Sequence, residues 1–182
     1  MNNLKITIID DDDIELSNLQ RQIIHKTKNI GSSKSDSAAK EAKELNPSIE
    51  IVSIKKRLNN SNALDLINSH DIVADGSDNF KTRFLVADTC YITQTILVSA
   101  AILKYEGQIS TWNPKITNSP CYRCLFPEQP KNNIIPSCSQ SGVLGSLAGF
   151  MGSLQATEVI KELLSIQRSI NSSNPGEPAS IN

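Results

Sequence analysis

The chain opens on an apolar run. Leu4 to Ile9 reads LKITII and stops at four aspartates, Asp10 to Asp13, as a buried parallel strand does where its carboxyl end meets water. IELSNLQRQ is then polar and irregular, and leads through a short helical stretch to a turn around Gly31. Ser33 to Leu45 reads as a helix: Ser33 and Asp36 have capping-box spacing, and Ala38, Ala39, Ala42 and Leu45 fall on one stripe. Asn46 and Pro47 stop it. Ile49 to Ile54 is a second β-branched strand, Ala63 to Ile67 a short helix, and Asp71 to Ala74 a third strand running into DGSDN. Phe80 to about Tyr91 is helical, and Thr95 to Ala101 is a further strand.

Strand and helix alternating at this spacing predict an α/β fold, a Rossmann-like doubly wound and mostly parallel sheet with helices on both faces. Beyond it, Gln108 to Trp112 reads as another strand, and Ser119 to Pro136 as a loop holding CYRC and several prolines. Val143 to Leu164 has the period of one long helix, apolar at first and amphipathic by Glu158 to Leu164. From Ser165 the chain is polar and turn-rich, so residues 1–164 are expected to form the domain and 165–182 a disordered tail. No internal repeat is evident.

Composition narrows the function classes. With 38% hydrophobic positions, 182 residues suffice for one sizeable core. Eighteen Lys and Arg against 19 Asp and Glu leave a net charge of −1, which gives no electrostatic footprint for nucleic acid or an anionic membrane. Aromatics at 4% argue against base-stacking platforms. The uncharged stretch Val143 to Thr157 is too short, and too rich in Gly and Ser, to span a bilayer. The amino-terminal residues lack the basic-then-apolar pattern of a secretory signal, so the expected location is cytoplasmic. There the cysteines at 90, 121, 124 and 138 suggest metal binding or thiol chemistry rather than a disulfide framework.

Several residues could carry chemistry. Asp10, at the carboxyl end of the first strand, is either a hydroxyl-binding acceptor for a ribose or part of a solvated acidic run that ends the strand. Asp75 and Asp78 either coordinate Mg²⁺ with phosphate oxygens or form a polar turn with Gly76 and Asn79. Arg21 and Lys34 suit phosphate contacts, the one as a planar fork and the other as a point charge, or are solvated surface cations. Cys121 and Cys124 supply half of a tetrahedral zinc site, and His25 and His70 lie in distant elements, so a closed four-ligand site cannot be assembled. Cys90 reads as a small core hydrophobe. Cys138 lies in the polar segment PSCSQSG before the long helix, either exposed and reactive or an inert loop residue.

Taken in order, these fragments resemble one family. DDDDIELSNLQRQ, Lys34 after Gly31, Asn46-Pro47, the Asp75-to-Asn79 run, Glu106-Gly107-Gln108, CYRC and GSLQATEVIKELL look like the ThiF/MoeB/HesA adenylyltransferases, which include the activating domains of ubiquitin-activating enzymes. The resemblance runs from about Leu4 to Leu164. It implies an enzyme, a nucleotidyltransferase that uses ATP and Mg²⁺ to activate the C-terminal glycine carboxylate of a ubiquitin-like sulfur-carrier protein as an acyl-adenylate. It places Asp10 at the ribose, Ser17, Asn18, Leu19 and Gln20 beside the nucleotide, and Asn18, Arg21 and Lys34 at the phosphates. It places Asp78 on Mg²⁺ with Asn79 next to it, and Cys121 and Cys124 in the first half of a structural zinc site. Cys138 matches the cysteine that in some members bonds to the activated carrier or its sulfur. A homodimer, or a dimer with a complete homologue, is the implied assembly, and the pathway stays open between molybdopterin, thiamine and another thiolation.

The departures are equally specific. The family's opening strand and glycine-rich phosphate loop would precede Leu4, and its second C-x-x-C is missing near the carboxyl end. The chain therefore resembles a family member cut at both ends, and the flank of Leu4 to Ile9 is expected to be an unpaired apolar edge. Two other readings stand beside the enzyme: a catalytically silent subunit that dimerises with a complete homologue, and a small thiol or redox protein using Cys121 and Cys124. The last is weakened because C-x-x-C does not open a helix that follows a strand.

Overall fold

A computed structural model describes residues 4–130 and 142–164. Strands β1 (Lys5–Ile9), β2 (Glu50–Ile54), β3 (Ile72–Asp75), β4 (Ile96–Leu103) and β5 (Glu106–Trp112) alternate with helices α1 (Lys34–Leu45), α2 (Ala63–Asn68) and α3 (Phe80–Thr93). A four-residue helix α4 (Tyr122–Leu125) and the long helix α5 (Gly145–Leu163) follow. Two 3₁₀ turns, Leu16–Asn18 and Thr27–Asn29, lie between β1 and α1, and Gly31 takes a φ of +85° that favours glycine.

The β-branched run of β4 folds as an interior strand. Ile96 to Ala100 are buried, with β3 parallel on one edge and β5 antiparallel on the other. Around it Ile67, Phe84, Val86, Ala87, Cys90, Leu97 and Tyr122 form the main apolar cluster, drawn from α2, α3, β4 and α4. Tyr122 meets Phe84 and Trp112 edge-on at centroid distances of 5.3 and 5.8 Å, a favoured aromatic geometry.

β1 and β2 form a separate parallel pair, Lys5 opposite Glu50 through Ile9 opposite Ile54. The two sheets share no strand-to-strand hydrogen bonds, so the edge of β1 away from β2 is unpaired among the described residues. Side chains link them instead, through a 2.7 Å hydrogen bond between His70 Nε2 and Thr7 Oγ1.

α1 follows Ser33, the predicted cap, whose Oγ accepts from the Asp36 amide at 3.2 Å. Three expectations need correction. α1 buries the predicted stripe only in part: Ala38 is buried and Ala39 and Ala42 are half-buried, with Ser35 and Ser37 buried beside them, whereas Leu45 is 86% exposed. The serines can be buried because they are satisfied: Ser35 Oγ pairs with Ser33 Oγ at 3.0 Å, and Ser37 Oγ with His25 Nδ1 at 3.2 Å. α5 buries Met151 and also points Gln155 inward. Gln155 Nε2 donates to the carbonyls of Asp75 and Val98, both at 2.9 Å, while Phe150 and Ile160 stay exposed. The CYRC segment, expected as loop, holds α4, because burial of Tyr122 pins one helical turn. The tail at 165–182 lies outside the described residues.

Two glycines of α5 separate steric from conformational effects. A Cβ at Gly145 would collide with the backbone carbonyl of Gln20, whereas one at Gly149 meets nothing within 4 Å. Gly145→Ala should therefore cost about 1–3 kcal/mol as overpacking. Gly149→Ala should be neutral or stabilising by up to about 1 kcal/mol through helix propensity. Urea midpoints of the two variants check the contrast.

Candidate active site

A cavity of about 550 Å³ opens at the carboxyl end of β1. Asp10 reaches it from the strand end, Arg21 from the segment after the first 3₁₀ turn, and Lys34 from the first turn of α1. Gly149, Gly152, Ser153 and Ala156 of α5 close another side. Three residues scattered over the first 34 positions are thus brought together by one strand-to-helix connection.

The connection is held by charge pairs. Lys34 Nζ lies 2.7 Å from Asp12 Oδ2; the lysine side chain is 13% exposed and the aspartate 61%, so the cation is the enclosed partner. Lys55 pairs with Asp13 at 2.5 Å, and Arg57 with Asp11 at 3.4 Å. Asp10 has no such ion pair among the described residues. Its Oδ1 accepts the Asp12 amide at 2.8 Å, and burial pushes its carboxyl above the ordinary value, outweighing that hydrogen bond and the nearby Lys34 charge. His25, on the same cavity wall, is shifted down by burial and then by Lys34. The oxygens of Asp10, Asp11 and Asp12 come within 4.8 Å of one another, but two of the three already face cations.

The SNLQRQ residues are mostly structural in this arrangement. Asn18 is buried, and its Oδ1 accepts the Glu15 amide at 2.9 Å, closing the 3₁₀ turn. Ser17 is exposed and donates to Glu15 Oε2, Leu19 is half-buried, and Gln20 turns its backbone carbonyl toward Gly145. Arg21 Nη1 donates to the Ser17 carbonyl at 3.0 Å, which orients the guanidinium at the cavity. Gln22 Oε1, also at the cavity, is buried without a hydrogen-bond partner among the described residues.

Asp78 and Asn79 are not among the cavity-lining residues. Asp78 is exposed after β3, and Asn79 caps α3 by accepting the Thr82 amide at 2.9 Å. Asp75, paired with Asp78 by sequence, is buried and accepts from the Ser77 amide at 2.9 Å and Ser99 Oγ at 3.5 Å. Its carboxylate is therefore spent on the turn. Arg83 ties that turn to β4, donating to the carbonyls of Ser77 and Ala100.

Cys121 and Cys124 lie with sulfurs 2.8 Å apart at the start of α4. A helix begins immediately after Cys121, but no strand feeds directly into it, since β5 ends at Trp112. The turn is fixed by Arg123, whose Nε and Nη2 meet Asp88 at 2.5 and 2.7 Å. Two sulfurs supply two of the four ligands of a structural zinc site, and among the described residues no third Cys, His or carboxylate joins them. Cys90 is buried, its thiol pushed up to about 12 chiefly by desolvation. Cys138 lies outside the described residues.

Sequence reasoning missed Asp12 as the holder of Lys34, Gln22 as a buried acceptor, and the α5 face. Only the last had a signal, the small residues of GSLAGFMGSLQA at helical spacing.

Two measurements test these electrostatics. An acid whose folded pKa is raised destabilises the fold once ionised, so the Asp10 contribution falls as pH rises through its titration range. Asp10→Asn should gain urea resistance over the parent on going from about pH 3 to pH 7. At Cys124, the Cys121 thiol hydrogen bond favours the thiolate and lowers the pKa. Iodoacetamide should modify Cys124 before Cys121 and Cys90, and Cys121→Ala should slow it, as peptide mass mapping would show.

Comparison with known proteins agrees with the fold and the order of the motifs. The ThiF family matches residues 4–178. The chain is 44% identical over 160 residues to the SAMP-activating enzyme E1 of Haloferax volcanii, covering 88% of this chain and 58% of that enzyme. It is 45% identical over 157 residues to the adenylyltransferase and sulfurtransferase MOCS3 of Xenopus laevis, covering 86% of this chain and 34% of that protein. The chain thus spans about a third to three-fifths of these relatives. In fold it is similar to the crystal structure of E. coli MccB with ATP, at a TM-score of 0.77 and 21% identity, over 92% of this chain and 50% of that one. No described helix is long and apolar enough to cross a membrane. The family match over most of the chain, together with the relatives above 40% identity, establishes that this chain belongs to the ThiF family.

Proposed function

We propose that this chain carries the nucleotide-binding part of an ATP-dependent adenylyltransferase acting on the C-terminal glycine carboxylate of a ubiquitin-like sulfur carrier. The observation that carries the reading is the convergence of Asp10, Arg21 and Lys34 on one cavity at a strand carboxyl end. The names of the two relatives, an activating enzyme and an adenylyltransferase and sulfurtransferase, point the same way.

In this reading a carboxylate oxygen of the carrier attacks the α-phosphorus of ATP, and the bond to pyrophosphate breaks. The protein needs no nucleophile for that step; it must position the phosphates and offset charge. Lys34 and Arg21 provide positive charge, each held beforehand by a chain acceptor, Asp12 Oδ2 and the Ser17 carbonyl. Asp10 offers a free carboxylate oxygen to the vicinal ribose hydroxyls, with its other oxygen fixed by the Asp12 amide. Asp78, exposed beyond β3, would hold Mg²⁺, which neutralises phosphate charge, with Asn79 beside it. Cys138 would act on the activated product, and Cys121 and Cys124 would form half a zinc site whose remaining ligands come from elsewhere. The assembly proposed is a dimer, with itself or with a complete homologue, in the cytoplasm.

Calorimetric titration with MgATP tests the site. Lys34→Ala and Arg21→Ala should each weaken binding about ten- to hundred-fold, as expected for losing a charge-assisted hydrogen bond, whereas Lys115→Ala should leave it unchanged. Carrier-dependent ATP–pyrophosphate exchange then separates an enzyme from a silent nucleotide-binding subunit, which would bind ATP without exchange.

A further inference from the structure

We propose that His25 is a further ligand-binding residue of the cavity: its imidazole Nε2–H donates to a phosphate oxygen of the bound nucleotide, and Ser37 holds the ring in that tautomer. The inference rests on the nucleotide reading above and adds an uncharged donor to the cations Arg21 and Lys34.

The hydrogen bonds around Ser37 place the proton. Ser37 is buried, and its Oγ meets two groups, Asn29 Nδ2 and His25 Nδ1, each at 3.2 Å. The Asn29 amide nitrogen donates, so it takes a lone pair of that oxygen. The single hydroxyl hydrogen of Ser37 is then left with one acceptor, Nδ1 of His25. The opposite arrangement would bring two donors to Ser37 Oγ and leave its own hydrogen buried and unpaired, which is costly. The neutral ring therefore carries its proton on Nε2. Burial and then the Lys34 charge oppose a second proton, against the weaker pull of Asp10 and Glu41. Lys34 and Glu41 act on the ring from α1, and Asp10 acts from the end of β1.

Nε2 has no partner in the fold. Among the described residues it makes no hydrogen bond, and unlike Gln22 Oε1 it is not sealed in by surrounding atoms. His25 is only 9% exposed and lines the cavity, so the opening left to Nε2 is the cavity itself. The backbone behind the ring is fixed as well, since the His25 amide donates to the Gln22 carbonyl at 3.0 Å. An N–H held in this way calls for an acceptor from the ligand.

The neighbours select the acceptor. Arg21 and Lys34 line the same space, and Asp10 is the only acid among its lining residues. A donor beside two cations is complementary to an oxyanion, and phosphate oxygens are the oxyanions of a nucleotide. A neutral imidazole supplies that hydrogen bond without adding a third positive charge next to Lys34.

His25 and His70 are the only histidines, so histidine-selective nitrogen-15 correlation spectra of the 182-residue chain resolve both rings. At neutral pH the unliganded chain should show His25 protonated at Nε2 and bare at Nδ1. MgATP and inorganic pyrophosphate should both shift Nε2, and adenosine should not. In calorimetric titrations His25→Phe should weaken MgATP and pyrophosphate about ten- to hundred-fold, as for loss of a hydrogen bond to a charged group. His25→Gln, which keeps an N–H donor, should recover most of that loss. Ser37→Ala should mix the two tautomers in the spectrum and weaken both ligands less than His25→Phe does. The parent-chain spectra decide the question without any variant. A proton on Nδ1 in the unliganded chain, or an Nε2 resonance that MgATP and pyrophosphate leave unmoved, overturns the inference. Full MgATP affinity in His25→Phe, with Lys34→Ala and Arg21→Ala impaired, overturns it too and leaves the nucleotide reading in place. MgATP binding that is indifferent to all three variants, or absent at millimolar concentration, overturns both.

Discussion

Complete pairing and burial of β4 organise half of the molecule. A parallel strand on one edge and an antiparallel strand on the other satisfy its backbone, and Ile96 to Ala100 are buried. Buried backbone groups must be paired, so the elements that enclose β4 have little freedom. α3 delivers Phe84, Ala87 and Cys90 to Leu97, while α5 lies over β3, β4 and β5 and spends Gln155 on two strand carbonyls. That use of Gln155 explains how a helix can point polar side chains inward. It donates to the Asp75 carbonyl at the end of β3 and to the Val98 carbonyl within β4.

The other half is governed by charge. Four aspartates in succession at the end of β1 would repel one another if left alone. Lys34, Lys55 and Arg57 each answer one of them from α1 or from the segment after β2. The exposed pairs contribute little stability individually, since water screens them. Their effect is positional: they close the connection from β1 to α1 around a cavity and leave Asp10, which has no ion pair among the described residues, half-buried within it. Burial opposes ionisation of that carboxylate, which sits beside an enclosed lysine.

These two halves meet through few contacts. β1 and β3 are not hydrogen-bonded, and His70 with Thr7 bridges them by side chains. Half-exposure of β1 and exposure of Ala74 contrast with the burial of β4, although all three sequences are comparably apolar. In a sheet, burial follows from neighbours on both sides more than from the strand's own composition.

Local patterns were sufficient for the strands and helices around β4, because apolar runs ended by DGSDN or Asn46-Pro47 leave few alternatives. The resemblance carried by SNLQRQ, Lys34 and the Asp75-to-Asn79 run was likewise legible from residue types and order, since these are local motifs. Tertiary structure alone decided which side chains remained available. Asn18 and Asp75 look free in sequence, yet both are spent on backbone amides. The buried serines of α1, the inward Gln155 of α5, and the exposure of Leu45 also required the fold. Each depends on partners far away in the chain, and periodicity reports only which residues share a face, not what that face meets.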